Sequence, residues 1–277
     1  MIEAGKFYKA KVIRKSDLGF MLAIGEDEIL MHFRQSKKEY INGEEVSVFI
    51  YYDKANRLCA TSNNVYCSTL KPGKVKVCDK LDSGLFIDNN TSKDVFVSSD
   101  YLPRNKSLWP SIDESIYTVL VLKKDKLEAR ILNRELCKKY HEGSLLINDS
   151  YEGIVSEVNN GGYGIITHSF NFVFVPFELS REKYHVGSLV NVKINKEGDG
   201  IYYGTLLLNK ELQLVDDTKI ILDYLKAHKG FMPFTAKSSS EAIELEFKIS
   251  RKAFKRAYGK LYKDHIIDFD DKGTYLK

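Results

Sequence analysis

Six basic side chains lie between Arg251 and Lys263: Arg251, Lys252, Lys255, Arg256, Lys260 and Lys263, with no acid before Asp264. Cations at this density on one element are suited to phosphate contact. In the same stretch Ala253, Phe254, Ala257, Tyr258, Leu261 and Tyr262 recur at four-residue spacing. That spacing predicts a helix with these residues in one buried stripe and the cations mostly on the opposite, exposed side. A solvated basic surface is the alternative use of such a face. The six-to-zero asymmetry favours a nucleic acid backbone.

A second chemistry is offered by aromatic rings beside glycine in alternating segments. Exposed rings on a strand stack unpaired bases, each worth about 1–3 kcal/mol. Phe86, Tyr163 and Phe174 are the candidates, and each is either core or base-facing. His32 is either an ordinary surface histidine or a base contact, and Phe20 is assigned to the core. Tyr202 and Tyr203 are adjacent, so they point to opposite sides of a strand and one faces outward.

The elements that carry these residues repeat. Three stretches share one order: GKFYKAKVIRKSDLGFMLAI, EILMHFRQS and GEEVSVFIYY; then PGKVKVCDKLDSGLFI, KDVFVSSDYL and SIYTVLVLK; then DSYEGIVSEVNNGGYGIIT, FNFVFVPFELS and GSLVNVKIN. Each alternates Val, Ile, Phe and Tyr with polar residues, and Gly, Asn or Asp separates the segments, which is strand and hairpin chemistry. Gly19 and Gly84 fall within the second strand of repeats one and two, and Val46, Ile116 and Val190 open equivalent later strands. A repeat of roughly 70 residues with four or five short strands fits one small closed barrel of the oligonucleotide-binding type. After about residue 210 the pattern turns helical. DDTKIILDYLKAHKG has an Asp start and a Gly stop, one serine of Ser238-Ser239-Ser240 can cap EAIELEF, Ser250 caps the basic helix, and IIDFDDKGTYLK reads as a hairpin with an acidic turn. Three helices and a hairpin form a winged helix-turn-helix.

The expected architecture is therefore mostly β with a C-terminal α/β part. Barrels are expected at 1–64, 65–135 and 144–210, and a winged helix at 211–277. The chain has 277 residues, 43% hydrophobic, with a net charge of +4. Residues 1–64 hold 10 basic and 9 acidic side chains, 65–135 hold 12 and 10, 136–210 hold 7 and 8, and 211–277 hold 13 and 11. No unit is strongly basic, so strength would have to come from several linked weak sites. There is no apolar run of membrane length and no secretory leader pattern. Cys59, Cys67, Cys78 and Cys137 show no metal-ligand spacing, and all four are read as small buried reduced residues of a cytoplasmic protein.

DLGFMLAI and DSGLFIDN resemble the S1 RNA-binding pattern of aromatic, Gly, small residue and Phe, followed by a strand bearing His or Phe. In that alignment Leu18 and Met21 take the aromatic positions of repeat one, with His32 at the His position. In repeat two Ser83 and Phe86 take them, with Val97 at the His position. In repeat three Tyr163 and Ile166 take them, and Phe174 lies near the third-strand position. LPRNKSLWP (Leu102 to Pro110) and the tail GFMPFTAKSSSEAIELEFKISRKAFKRAYGKLYKDHII resemble the conserved virulence factor B family of bacterial S1 RNA-binding proteins. That resemblance implies a cytoplasmic, non-enzymatic protein that binds single-stranded RNA and modulates gene expression, virulence genes included. Trp109 is read as an anchor between units. The remaining alternatives are a docking scaffold on the ribosome or RNA polymerase, and duplex DNA binding by the winged helix. A monomer is expected, with no cofactor, metal or membrane partner. The acids Asp216, Asp217, Asp268, Asp270 and Asp271 are assigned to a helix start and a wing turn, not to catalysis, and no P-loop, G-x-S-x-G or H-E-x-x-H motif is present.

Overall fold

A computed structural model describes residues 2–123, 126–207 and 210–277. Contacts divide it into two units, Met1–Leu206 and Leu207–Lys277. The first unit holds three closed five-stranded barrels. Barrel one is β1 (Phe7–Lys15), β2 (Gly19–Ile24), β3 (Asp27–His32), β4 (Glu45–Tyr52) and β5 (Leu58–Thr61). Barrel two is β6 (Gly73–Leu81), β7 (Gly84–Asp88), β8 (Val95–Ser98), β9 (Ser115–Lys123) and β10 (Lys126–Ile131). The helix α1 (Arg134–Tyr140) follows. Barrel three is β11 (Ser150–Val158), β12 (Gly162–Thr167), β13 (Phe172–Pro176), β14 (Leu189–Gly198) and β15 (Ile201–Thr205). In each, the first strand pairs with the second and fourth, and the third closes on the fifth in parallel.

Two local devices recur and explain why these sequences close. The first strand slips register once, between Val12 and Arg14, Val77 and Asp79, and Val155 and Glu157. A bulge there bends the strand so that it can serve both of its neighbours. The second strand opens on a glycine that touches the third strand's backbone. A Cβ at Gly19, Gly84 or Gly162 would lie 2.1, 2.0 or 2.2 Å from the carbonyl oxygen of Met31, Val97 or Val175. Only a residue without Cβ permits that approach. Gly84→Ala should lower the stability of barrel two by about 1–3 kcal/mol, because the clash is with backbone and cannot be relieved by a rotamer change. Trp109, in the same core cluster as Leu85 and Val97, reports this as a lower urea midpoint in its fluorescence; an unchanged midpoint would mean the strands separate at no cost.

Trp109 is buried and lies at the junction of barrels two and three. Its Nε1–H donates to the Pro103 carbonyl at 2.7 Å, and Val186 packs in its cluster. The Val186 N–H donates to the Leu108 carbonyl at 2.9 Å, and His185 Nε2 lies 2.9 Å from a Glu114 carboxylate oxygen. Barrels one and two share core: Phe49 and Tyr51 of β4 are buried in the cluster that holds Val75, Val97 and Leu120. Of the cysteines, Cys67 and Cys137 are buried and Cys59 is half-buried, but Cys78 is exposed. Cys78 follows Lys74 and Lys76 on the outward side of β6, and it is the residue left unpaired at the register shift between Val77 and Asp79.

The second unit contains α2 (Lys210–Ala227), β16 (Phe231–Met232), α3 (Ser240–Phe247), α4 (Arg251–Lys263), β17 (Ile267–Phe269) and β18 (Thr274–Leu276), with sheet order β16-β18-β17. Ser239 caps α3 by accepting from the Ala242 N–H, and Ser250 caps α4 by accepting from the Ala253 N–H, both at 3.2 Å. Ile221, Leu225, Ile243, Phe247, Phe254, Tyr258 and Leu261 form the core. Helix α2 starts earlier than the acidic pair, so Asp217 is not at a helix start. It is fully buried, with the Arg256 guanidinium 4.0 Å away. The side chain of Asp216 lies outside the described residues. Asp270 closes the wing turn by accepting from the Lys272 and Gly273 N–H groups.

Candidate nucleic-acid interface

The barrels' outer faces follow from the glycine register. Gly19 pairs with His32, Gly84 with Ser98 and Gly162 with Pro176. Counting two residues on from each glycine places Met21, Phe86 and Gly164 at one outward position. Their partners Leu30, Phe96 and Phe174 occupy the next. Barrel two therefore presents Phe86 and Phe96, half-buried, with ring centroids 5.4 Å apart. Barrel three presents Phe174 and Tyr203 in an edge-on pair at 6.3 Å, with Lys196 Nζ 4.9 Å above the Tyr203 ring. Barrel one carries Met21 and Leu30 at these positions and has no ring pair there.

Three expectations change. Tyr163 is one residue past the close-approach glycine, which turns it inward. It is 3% exposed, packs against Phe177 and Tyr184, and its hydroxyl donates to the Glu182 carbonyl and accepts from the Tyr184 N–H. Its ring is therefore core, not a stacking surface, and Ile166 at the supposed second position is fully buried as well. The third-strand position opposite the glycine is Ser98 in barrel two, not Val97, which is buried. Both His32 and Ser98 cap a short turn there. His32 is exposed and its Nδ1 accepts from the Arg34 N–H at 3.3 Å, while Ser98 accepts from the Asp100 N–H. Tyr202 points inward, with its hydroxyl accepting from the Leu145 N–H, and Tyr203 points outward, as their adjacency requires.

The α4 surface is cationic. Lys252, Lys255, Lys260 and Lys263 are exposed, Arg256 is 44% exposed on its side chain, and Arg251 is half-buried. Ala253, Phe254, Ala257, Tyr258 and Leu261 are buried on the other side. Tyr262 departs from that stripe. It is 48% exposed and leans on the equally exposed Phe269 of the wing at 5.3 Å, Leu261 being the last residue of α4 in the core. The wing itself is acidic at Asp268, Asp270 and Asp271, so positive potential belongs to the helix and not to the hairpin.

No group of three or more His, Cys, Asp or Glu that could hold a metal gathers among the described residues. Nor is any described helix long and apolar enough to cross a membrane. Phe96 and Glu128 were not singled out from sequence; both sit on the outer face of barrel two through the parallel β8–β10 pairing, in which they are register partners.

Residues 4–63 match the S1 domain, 73–132 the CvfB first S1-like domain and 219–276 the CvfB-like winged helix domain. Tandem S1-like barrels ending in a winged helix define a class of multidomain protein whose modules are of nucleic-acid-binding type rather than catalytic type. The chain belongs to the conserved virulence factor B family. It is 31% identical over 234 residues to conserved virulence factor B of Staphylococcus aureus, covering 82% of this chain and 78% of that protein. It is 30% identical over 278 residues to the uncharacterized protein YitL of Bacillus subtilis, covering 99% of this chain and 93% of that one. A solved multidomain protein with nucleic acid binding domains from Streptococcus pneumoniae shares the fold, with a TM-score of 0.60 at 24% identity over 99% of this chain and 98% of that one.

Proposed function

We propose that this chain is a non-enzymatic, cytoplasmic regulator that binds single-stranded RNA and thereby modulates gene expression. The reading rests chiefly on the outer face of barrel three, where Phe174 and Tyr203 stand beside Lys196. Rings next to a cation suit an unpaired base and its phosphate; duplex bases are already stacked on one another. Phe86 with Phe96 adds a second platform, and the exposed cations of α4 add backbone contact without base reading. His32 has its Nδ1 committed to a turn and is left with at most an edge contact. Each site is weak alone, and their linkage in one chain supplies the affinity.

Competition tests the reading. Full-length protein bound to a labelled unstructured RNA of about a dozen nucleotides should be displaced by unlabelled single strand far better than by duplex DNA. Preferential displacement by duplex DNA would transfer the function to the winged helix as a DNA reader. Absence of RNA binding, with co-purification of ribosome or RNA polymerase that survives nuclease, would make the chain a protein scaffold.

A further inference from the structure

Between barrels one and two lies a groove of about 370 Å³, within the size range of small-ligand sites. Barrel two lines it with Phe86, Phe96, Lys93 and Lys126, and the β4–β5 hairpin of barrel one closes it with Tyr52 and Asn56. Its walls are fixed to one another. The Tyr51 hydroxyl meets the Ser92 hydroxyl at 2.9 Å, and Asn90 Nδ2 donates to the Asn64 carbonyl at 2.8 Å. A site held ready in this way loses little freedom when it fills.

Four charged side chains reach the groove, two of each sign, and they are not equivalent. Both acids have neighbours of their own. Glu128 is paired with Lys123 Nζ at 3.5 Å through Oε2, which is inaccessible to solvent, and Asp94 lies beside the Cys78 thiol. Lys93 and Lys126, by contrast, make no ion pair among the described residues. The charge left without a partner in the groove is therefore positive. Lys93 is also half-buried, so part of its stem lies against the wall and its reach is restricted. Two rings 5.4 Å apart offer a face to a base, and two unpaired cations suit the phosphates on either side of it. Ring face and phosphate are contacts that every nucleotide can make, so they hold a strand without reading its sequence.

We propose that this groove holds one nucleotide of single-stranded RNA whatever its base, with the base on Phe86 and Phe96 and the two flanking phosphates on Lys93 and Lys126. This deepens the RNA-binding reading above and rests on it. Barrel one, which carries no ring pair of its own, takes part by closing the site of barrel two.

Two measurements on the full-length protein test it. In fluorescence anisotropy over a range of salt, changing Lys93 and Lys126 to alanine should lower the slope of log K against log salt by about 1.4, at roughly 0.7 for each of two phosphates. The drop should be the same for a nine-nucleotide oligouridine and a nine-nucleotide oligocytidine. Changing Lys74 and Lys76, exposed on β6 and outside the groove, should leave the slope as it is. In photocrosslinking, oligouridine substituted throughout with 5-iodouridine should attach to Phe86 or Phe96, located by mass spectrometry of the digested protein. RNA binding with an unchanged slope, or with crosslinks only outside the groove, overturns the groove while the RNA reading stands. An equal drop in the Lys74 and Lys76 variant overturns it too, since the effect would then be one of general surface charge. A drop confined to one of the two sequences overturns the indifference to base. If neither oligonucleotide binds the wild-type protein, the groove and the RNA reading fall together.

Discussion

Replacing Phe174 and Tyr203 together by alanine should weaken single-stranded RNA binding about a hundredfold. Loss of one stacked base costs about 1–3 kcal/mol, and two rings are removed. Both side chains are half-buried on the outer face of barrel three, where they also pack against the cluster that holds Ile166, Phe172 and Ile201, while the barrel interior is filled by Val155, Ile165, Val173 and Val192. The fold should therefore survive, with an unchanged far-UV circular dichroism spectrum and unchanged Trp109 emission. Phe174→Ala alone should cost about tenfold, the share of one stacking platform. Anisotropy titration at fixed salt measures both. Wild-type affinity in the double variant would remove barrel three from the interface.

The second large effect is in ionic-strength dependence. Changing Lys252, Lys255 and Lys260 to alanine should reduce the slope of log K against log salt by about 2, at roughly 0.7 per single-strand phosphate released. Affinity should fall for all sequences alike, because cations on a helix face contact backbone. Arg256 is left out of this set for a structural reason. Its guanidinium lies 4.0 Å from a carboxylate of fully buried Asp217, so Arg256→Ala strips a counter-charge from the core of the winged helix. That change should lower the stability of this unit by about 1–3 kcal/mol, visible as an earlier thermal transition in circular dichroism. The lysine variant should melt like wild type. A triple lysine variant with the wild-type salt slope would show that α4 does not touch the nucleic acid.

Period-two alternation makes the barrels legible in the sequence, since burial on one side of a strand is written directly into residue order. The outer face of barrel three was less legible. NNGGYG offers several glycines, and only the 2.2 Å approach to Val175 O identifies Gly162 as the counterpart of Gly19 and Gly84. A slip of one residue reverses every side chain, and for that reason Tyr163 moved from platform to core while Phe174 stayed outside. Tyr262 was misplaced for a different reason. The four-residue stripe continues through it, but the core beneath ends at Leu261, and its ring leans on the wing instead. Helix α1 has seven residues, and its one strong signal is the Asn133 cap, which accepts from the Leu136 N–H. Glu128 left no signal at all, because its neighbours Phe96 and Tyr52 come from strands far away in sequence.

The burial of Phe49 and Tyr51 within the second barrel's cluster bears on how the protein can be dissected. A truncation beginning at residue 65 would cut away two aromatic side chains that fill the interior of what remains. The gap left behind has the size of two rings, on the scale that costs several kcal/mol in a packed interior. Barrels one and two behave as one cooperative block despite their separate sheets. A deletion mutant lacking the first would report a collapsed neighbour where a lost binding surface was intended, so point changes on the outer faces are the sound way to assign roles to individual barrels.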